Sequence, residues 1–225
     1  MILSRGKPYA DRREAARRLG EGLAAYAVHH PLVLGIPRGG VVIADVVSQE
    51  LDADLDVVLT RKLGAPGNPE LAIGAVAENG TVFVQQQIAD HVGADEDYIQ
   101  QEKARQLAEI RARRERYRPV LPKVALEGRS VILVDDGIAT GATMQASVWA
   151  AREEGASRIV VAVPVGSQDA IARLEQEADE VICPHIPDYF YAIGQFFEDF
   201  GQVSDEEVME ILRVHSGKVG RNVER

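Results

Sequence analysis

The segment Val131-Ile132-Leu133-Val134-Asp135-Asp136-Gly137-Ile138-Ala139-Thr140-Gly141-Ala142-Thr143 opens with four consecutive apolar residues, the pattern of a strand buried on both faces. Two adjacent carboxylates stand where that strand ends. Small and hydroxylated residues then lead into a helix expected from Gly141 to Glu154. Ligands of open α/β sheets bind beyond the carboxyl ends of the strands, and backbone N–H groups at a helix start form an anion site. Thr140 and Thr143 add hydroxyl donors, and Gly141 lets the backbone come close. Phosphate donors beside two acids fit a ligand that carries both a phosphate and hydroxyl groups, as a sugar phosphate does. Each charge-assisted hydrogen bond of this kind contributes roughly 1.5–3 kcal/mol. An acid pair at a buried strand end is unfavourable without such partners, which counts against a generic strand-loop-helix. No lysine follows Gly141, so the loop is not of the Walker type.

The elements around this segment alternate. Leu32 to Ile36 is another apolar run, followed by the tight loop Pro37-Arg38-Gly39-Gly40 and a helix from Val41 to Leu51. Leu55 to Thr60 reads as a strand that ends in Arg61-Lys62 and enters a Gly/Pro-rich loop, 63–71. Ile73 to Glu78 and Thr81 to Val84 read as a hairpin turning at Asn79-Gly80. Downstream, strands are expected at Ile159 to Val163 and Val181 to Cys183, with a helix from about Gln168 to Ala178 between them. Near the start, Asp11 to about His29 reads as a helix with Ala15, Ala16, Leu19, Leu23 and Tyr26 inward and Arg12, Arg13, Arg17 and Glu21 toward water. This alternation predicts an α/β fold, a mostly parallel open sheet with helices on both faces. Asp95 to Arg118 reads as a long charged helix with a thin apolar stripe of Ile99, Leu107 and Ile110. Such a helix is a solvated face or a contact in a homo-oligomer; approach of its arginine-rich end (Arg111, Arg113, Arg114, Arg116, Arg118) to a phosphate or nucleic acid is the lesser reading. After Cys183 comes the aromatic-rich stretch PHIPDYFYAIGQFFEDF, then a last helix from about Asp205 to Leu212 and a frayed tail from Ser216.

A chain of 225 residues can bury one full core. Its formal net charge of −10 disfavours nucleic acid as a partner, yet leaves room for a local anion nest. Cys183 is the lone cysteine and reads as a small buried hydrophobe, with no internal disulfide available. The start, MILSRGKPYADRRE, lacks an apolar stretch of signal-peptide length, and no apolar run approaches membrane-spanning length. A cytoplasmic protein with no membrane partner is the expectation. The histidines, His29, His30, His91, His185 and His215, show no metal-ligand spacing.

The 131–143 segment resembles the signature by which type I phosphoribosyltransferases bind 5-phosphoribosyl-1-pyrophosphate (PRPP): an apolar strand, an acid pair, then a Thr-Gly-x-Thr loop. The resemblance implies that Gly137, Ile138, Ala139, Thr140, Gly141, Ala142 and Thr143 form the 5-phosphate loop. It implies that Asp135 and Asp136 hold the ribose hydroxyls and stabilise positive charge growing on the ring. Gly137 departs from the family, which usually has an aliphatic residue or serine there, and is expected to loosen the loop. Gly35 to Gly40 is similar to the family's pyrophosphate loop, which often contains an unusual peptide. Pro37, Arg38, Gly39 and Gly40 are thereby implied as pyrophosphate ligands. Arg61-Lys62 is similar to the Arg-Lys pair that enters the mobile catalytic loop of orotate and adenine phosphoribosyltransferases. Both residues are implied to stabilise departing pyrophosphate, with loop 63–71 as a lid.

Pro187 to Phe200 partly resembles the base-recognising hood of purine phosphoribosyltransferases, which makes Phe190 or Tyr191 the acceptor-stacking candidates and leaves Phe196, Phe197 and Phe200 as hood core. Ala139 stands where the hypoxanthine-guanine enzymes carry an aspartate, so hood and loop point to different branches and the acceptor stays open. The chain resembles most a bacterial phosphoribosyltransferase group with a helical insertion and an unassigned acceptor. The implied organisation is one domain over 1–225, with a core at about 30–184, the insertion at about 95–118 and the hood at about 185–215. The implied activity is Mg-dependent transfer of the 5-phosphoribosyl group from PRPP to a nitrogenous base or similar small-molecule acceptor, with release of pyrophosphate. Mg²⁺ would arrive with the pyrophosphate, held mostly by substrate oxygens and water. The alternative is a PRPP-sensing regulator with little or no transferase activity. A phosphatase would need a water-activating group that the sequence does not offer.

Overall fold

The computed structural model describes residues 9–216. The frayed tail expected beyond Ser216 lies outside them. Asp11 starts the first helix by accepting the Glu14 N–H at 2.7 Å, the usual service of an N-cap aspartate. The helices are α1 (Arg12–Leu23), α2 (Gly39–Glu50), α3 (Gln86–His91), α4 (Glu96–Tyr117), α5 (Ala142–Glu153), α6 (Gln168–Leu174) and α7 (Asp205–Ser216). The strands are β1 (Leu32–Gly35), β2 (Asp54–Val57), β3 (Arg61–Ala65), β4 (Asn68–Val76), β5 (Val82–Val84), β6 (Ser130–Val134), β7 (Arg158–Ala162) and β8 (Glu180–Ile182). None of these helices is long and apolar enough to cross a membrane.

The main sheet has the order β2-β1-β6-β7-β8, and all of its pairs are parallel. Its strands are apolar on both faces because both faces are covered. Val33, Ile132, Val134, Val160 and Ala162 pack with α1 and α2, while Leu32, Leu34, Val131, Leu133, Ile159 and Val161 pack with α5 and α6. This is the mostly parallel α/β architecture that the alternation predicts. Because β1 and β6 are neighbours, with Gly35 opposite Val134, the two loops that follow them emerge side by side.

Four features differ from the sequence reading. The first helix stops at Leu23, and Ala24–His29 is a 3-10 turn where α-helix was expected. Segment 63–71 is not a free loop: β3 and β4 form an antiparallel hairpin that turns at Pro66-Gly67, and β5 completes a second, three-stranded sheet. Leu63 and Ala65 are buried, and only the tip from Gly67 to Leu71 is exposed. The Asn79-Gly80 turn is present, with Gly80 in the left-handed region at φ 86°. The helix 96–117 is not merely a solvated face. Ile99, Ile110 and Tyr117 are buried in the main core, and α4 packs on β3, β4 and α7. The short α3 was hidden in the polar run before it.

Candidate active site

The loop after β1 and the loop after β6 touch through two glycines. A Cβ added to Gly39 would lie 1.9 Å from Asp136 Oδ2, and one added to Gly40 would lie 2.7 Å from the Val134 carbonyl oxygen and 3.0 Å from Asp135 Oδ1. Only residues without a side chain let the loop Pro37–Gly40 lie on the acid pair. The Pro37–Arg38 peptide is cis. Arg38 is half-buried beside it, and its guanidinium has no hydrogen bond or ion pair among the described residues.

The 137–143 loop is arranged as an anion cradle. Its carbonyls are turned back into the protein. Ser167 N–H donates to Ile138 O at 2.9 Å, Ser167 Oγ donates to Ala139 O at 2.6 Å, and Arg173 Nη2 donates to Thr140 O at 2.7 Å. The N–H groups of Ala139, Thr140 and Gly141 are left without a partner among the described residues; the Ala142 N–H reaches Thr140 Oγ1 at 3.5 Å, and those of Thr143 and Met144 in the first turn of α5 continue the array. Gly141 has φ +76°, so the switch into the helix needs glycine. Gly137 leaves room that the hood takes up. Its missing Cβ would lie 2.6 Å from Ile193 Cγ2, so the hood's Ile193 fills the space. Asp135, Gly137, Thr140, Gly141, Thr143 and Ile193 line a pocket of about 190 Å³.

Arg12 corrects another expectation. It does not face water. Its Nε donates to Asp136 Oδ2 at 2.7 Å, its Nη1 donates to Gly201 O at 2.8 Å, and its guanidinium lies 3.8 Å over the Phe200 ring centroid. One side chain thus joins α1, the acid pair and the hood. The signal was available: Arg12 shares the helical stripe of Ala16, Leu19 and Leu23. Arg12, Arg38, Gly39, Phe200 and Gly201 border a second pocket, of about 370 Å³, on the pyrophosphate-loop side. Burial, then the charge of Asp136, pushes the Asp135 carboxyl well above the usual carboxylate range. Burial also raises Asp136, against the opposing pull of Arg12.

Arg61 and Lys62 stand at the start of β3. Arg61 Nη2 lies 3.2 Å from Glu109 Oε2 of α4, and Lys62 Nζ lies 2.9 Å from Glu70 Oε2 across the hairpin. The pair therefore sits on a folded hairpin whose tip is exposed. The aromatic candidates do not reach the pockets: Phe190 packs on Phe196 with ring centroids 5.2 Å apart, and Tyr191 is 86% exposed. Phe196 and Phe197 are buried as hood core, and Phe200 is half-buried against them. Cys183 is half-buried at the end of β8, and burial pushes its thiol up to about 11, the mark of an inert side chain.

The sequence is 42% identical over 210 residues to two Mycobacterium tuberculosis proteins named "Putative phosphoribosyl transferase". The match covers 93% of this chain, which spans about half (47%) of the length of those relatives. The crystal structure of TT1426 from Thermus thermophilus superposes with a TM-score of 0.88 at 49% identity, covering 93% of this chain and 99% of that one. Residues 9–200 match the phosphoribosyl transferase domain family. That span includes the acid pair, the anion cradle and the pyrophosphate-side loop, and the chain belongs to that family.

Proposed function

We propose that this protein transfers the 5-phosphoribosyl group of PRPP, with Mg²⁺, to a nitrogenous base or similar nucleophile and releases pyrophosphate. The observation that carries this is the contact between two loops: a cradle of free N–H groups and an acid pair, with a glycine-opened, arginine-bearing loop laid on the acids. The cradle holds the 5-phosphate. Asp135 and Asp136 accept from the ribose hydroxyls and stabilise the positive charge that grows on the ring as the anomeric bond breaks. Arg38 and the Gly39-Gly40 backbone hold the pyrophosphate, and Arg61 and Lys62 offset its growing charge. The acceptor attacks the anomeric carbon from the opposite face, so no covalent protein intermediate is needed and rate comes from positioning and electrostatics.

The donor set fits Mg²⁺. Asp135 and Asp136 offer carboxylate oxygens, the donors a hard cation prefers, and Arg12 engages only Asp136, so these two residues would hold the ion. Diphosphate oxygens and water would complete its shell, and the cation would neutralise charge on the leaving group.

The test is pyrophosphate release from PRPP and Mg²⁺ with purine and pyrimidine bases added one at a time. Release that depends on one base is the expected result and names the acceptor. Saturable PRPP binding with no base-dependent release points instead to a PRPP sensor, and no binding overturns the reading. Gly39→Ala tests the loop contact. Its methyl must displace Asp136 or the loop, and a misplacement of this size costs about 10²-fold in turnover. Wild-type turnover in that variant would show that the contact is dispensable.

A further inference from the structure

The arginine-rich end of α4 is matched with carboxylates at three of its positions. Arg114 lies 3.5 Å from Glu78, Arg116 lies 2.7 Å from Asp205, and Arg118 pairs with both Asp56 and Glu78. Arg113 has no such partner among the described residues. It is half-buried, and its Nη1 approaches the Pro37 carbonyl at 3.5 Å, a loose contact that leaves its donors uncommitted. Arg38 is likewise unmatched, and Arg61 has only the exposed Glu109, whose side chain is 64% accessible. Burial, then the charge of Arg113, lowers Arg61, so these two guanidiniums lie within electrostatic reach of each other. Asp205, within electrostatic reach of Arg38 and Arg113, is already engaged by Arg116 and by the Tyr117 hydroxyl.

Arg38 and Arg113 thus come together at the loop after β1, and Arg61 lies within electrostatic reach of Arg113; of the two carboxylates near these three half-buried guanidiniums, Glu109 is exposed and Asp205 is shared with Arg116 and Tyr117. Such crowding is unfavourable in an isolated protein, and an anion with several negative oxygens relieves it. We propose that Arg113 of α4 is a third guanidinium of the pyrophosphate subsite, binding the diphosphate together with Arg38 and Arg61. The inference rests on the transferase reading and deepens it. The pyrophosphate end is then gripped partly from a rigid helix, since α4 is packed into the core and β3–β4 is a folded hairpin.

The test compares Arg113→Gln with wild type and with Arg111→Gln, an exposed neighbour as control. Calorimetry measures the affinity for inorganic pyrophosphate with Mg²⁺ and, separately, for ribose 5-phosphate. Arg113→Gln is expected to lose about 10- to 100-fold in pyrophosphate affinity, to keep its ribose 5-phosphate affinity, and to be partly rescued by Arg113→Lys. Arg111→Gln should bind both as wild type does. Unchanged pyrophosphate affinity in Arg113→Gln overturns the inference while leaving the transferase reading in place. An equal loss for both ligands also overturns it, since that marks a general disturbance of the site. A wild-type protein that binds neither ligand overturns both readings together.

Discussion

Asp135→Asn is expected to be slower than wild type by about 10²–10³-fold, the usual effect of removing one preorganised group from a developing charge, and at the same time more stable at neutral pH. The second half follows from linkage. The Asp135 carboxyl is raised in the folded state by burial and by the neighbouring Asp136. Between the ordinary aspartate value and that raised value, the folded chain binds more protons than the unfolded chain. Stability therefore falls as pH rises through this window and stays at the lower level above it. Asparagine cannot ionise, so the variant escapes that loss, and its Oδ1 can still accept the Asp136 N–H that Asp135 Oδ1 accepts at 2.9 Å. Thermal unfolding of both proteins from about pH 4 to about pH 8 checks the sign. The advantage of the variant should be largest at the upper end and shrink toward the acid end. Asp136→Asn should behave differently, because it strips the buried Arg12 of its carboxylate, and no stability gain is expected there. A less stable Asp135→Asn at neutral pH would mean that the acid pair is held for structure instead of ligand.

The acid pair and its loop were legible because their signal is local: an apolar strand, two carboxylates and a glycine-threonine turn lie within thirteen consecutive residues. The Gly39-Gly40 loop was legible for the same reason. What sequence hid was set by distant partners. Gly64 and Pro69 argue against strands, yet β3 and β4 accommodate them. Register shifts surround Gly64, and Pro69 lies beyond the reach of β5, which pairs only with Gly74–Val76, where a missing N–H donor is harmless. The charge of α4 pointed to solvent, but Glu102 is only 6% exposed and accepts from Arg105 and Gln106 within the helix. Arg12 carried the right helical phase and the wrong apparent preference, since its carboxylate partner and its aromatic platform come from the far end of the chain. Helical phase shows that such a residue faces inward, but not which distant groups it meets.

The largest loss of stability is expected from Arg118→Met. Arg118 follows the last turn of α4 and works as a five-donor clamp: Nη1 donates to Asp56 Oδ1 at 2.6 Å and reaches Leu121 O at 3.4 Å, Nε and Nη2 donate to the Glu78 carboxylate, and Nη2 also reaches Val57 O at 3.2 Å. Asp56 is 1% exposed, and it accepts further from Val57 and Val124 N–H groups. Methionine fills the volume but leaves two buried carboxylates without this counter-charge, a change that costs about 3–5 kcal/mol. For a chain of this size that corresponds to a fall in Tm of roughly 6–20 °C. Arg118→Lys should recover only part of it, because a point charge cannot serve two carboxylates and a carbonyl at once. Adding Glu78→Gln to Arg118→Met should restore part of the loss, and the coupling between the two changes separates the ionic contribution from packing. The clamp also bears on function, since Arg118 fixes the end of α4 five residues beyond Arg113 and ties it to β2, whose neighbour β1 leads into Pro37–Gly40. A destabilised Arg118→Met, measured well below its own Tm, should therefore also bind Mg²⁺-pyrophosphate more weakly while ribose 5-phosphate binding holds. An unchanged Tm would show that the buried carboxylates find protons or water instead of needing Arg118.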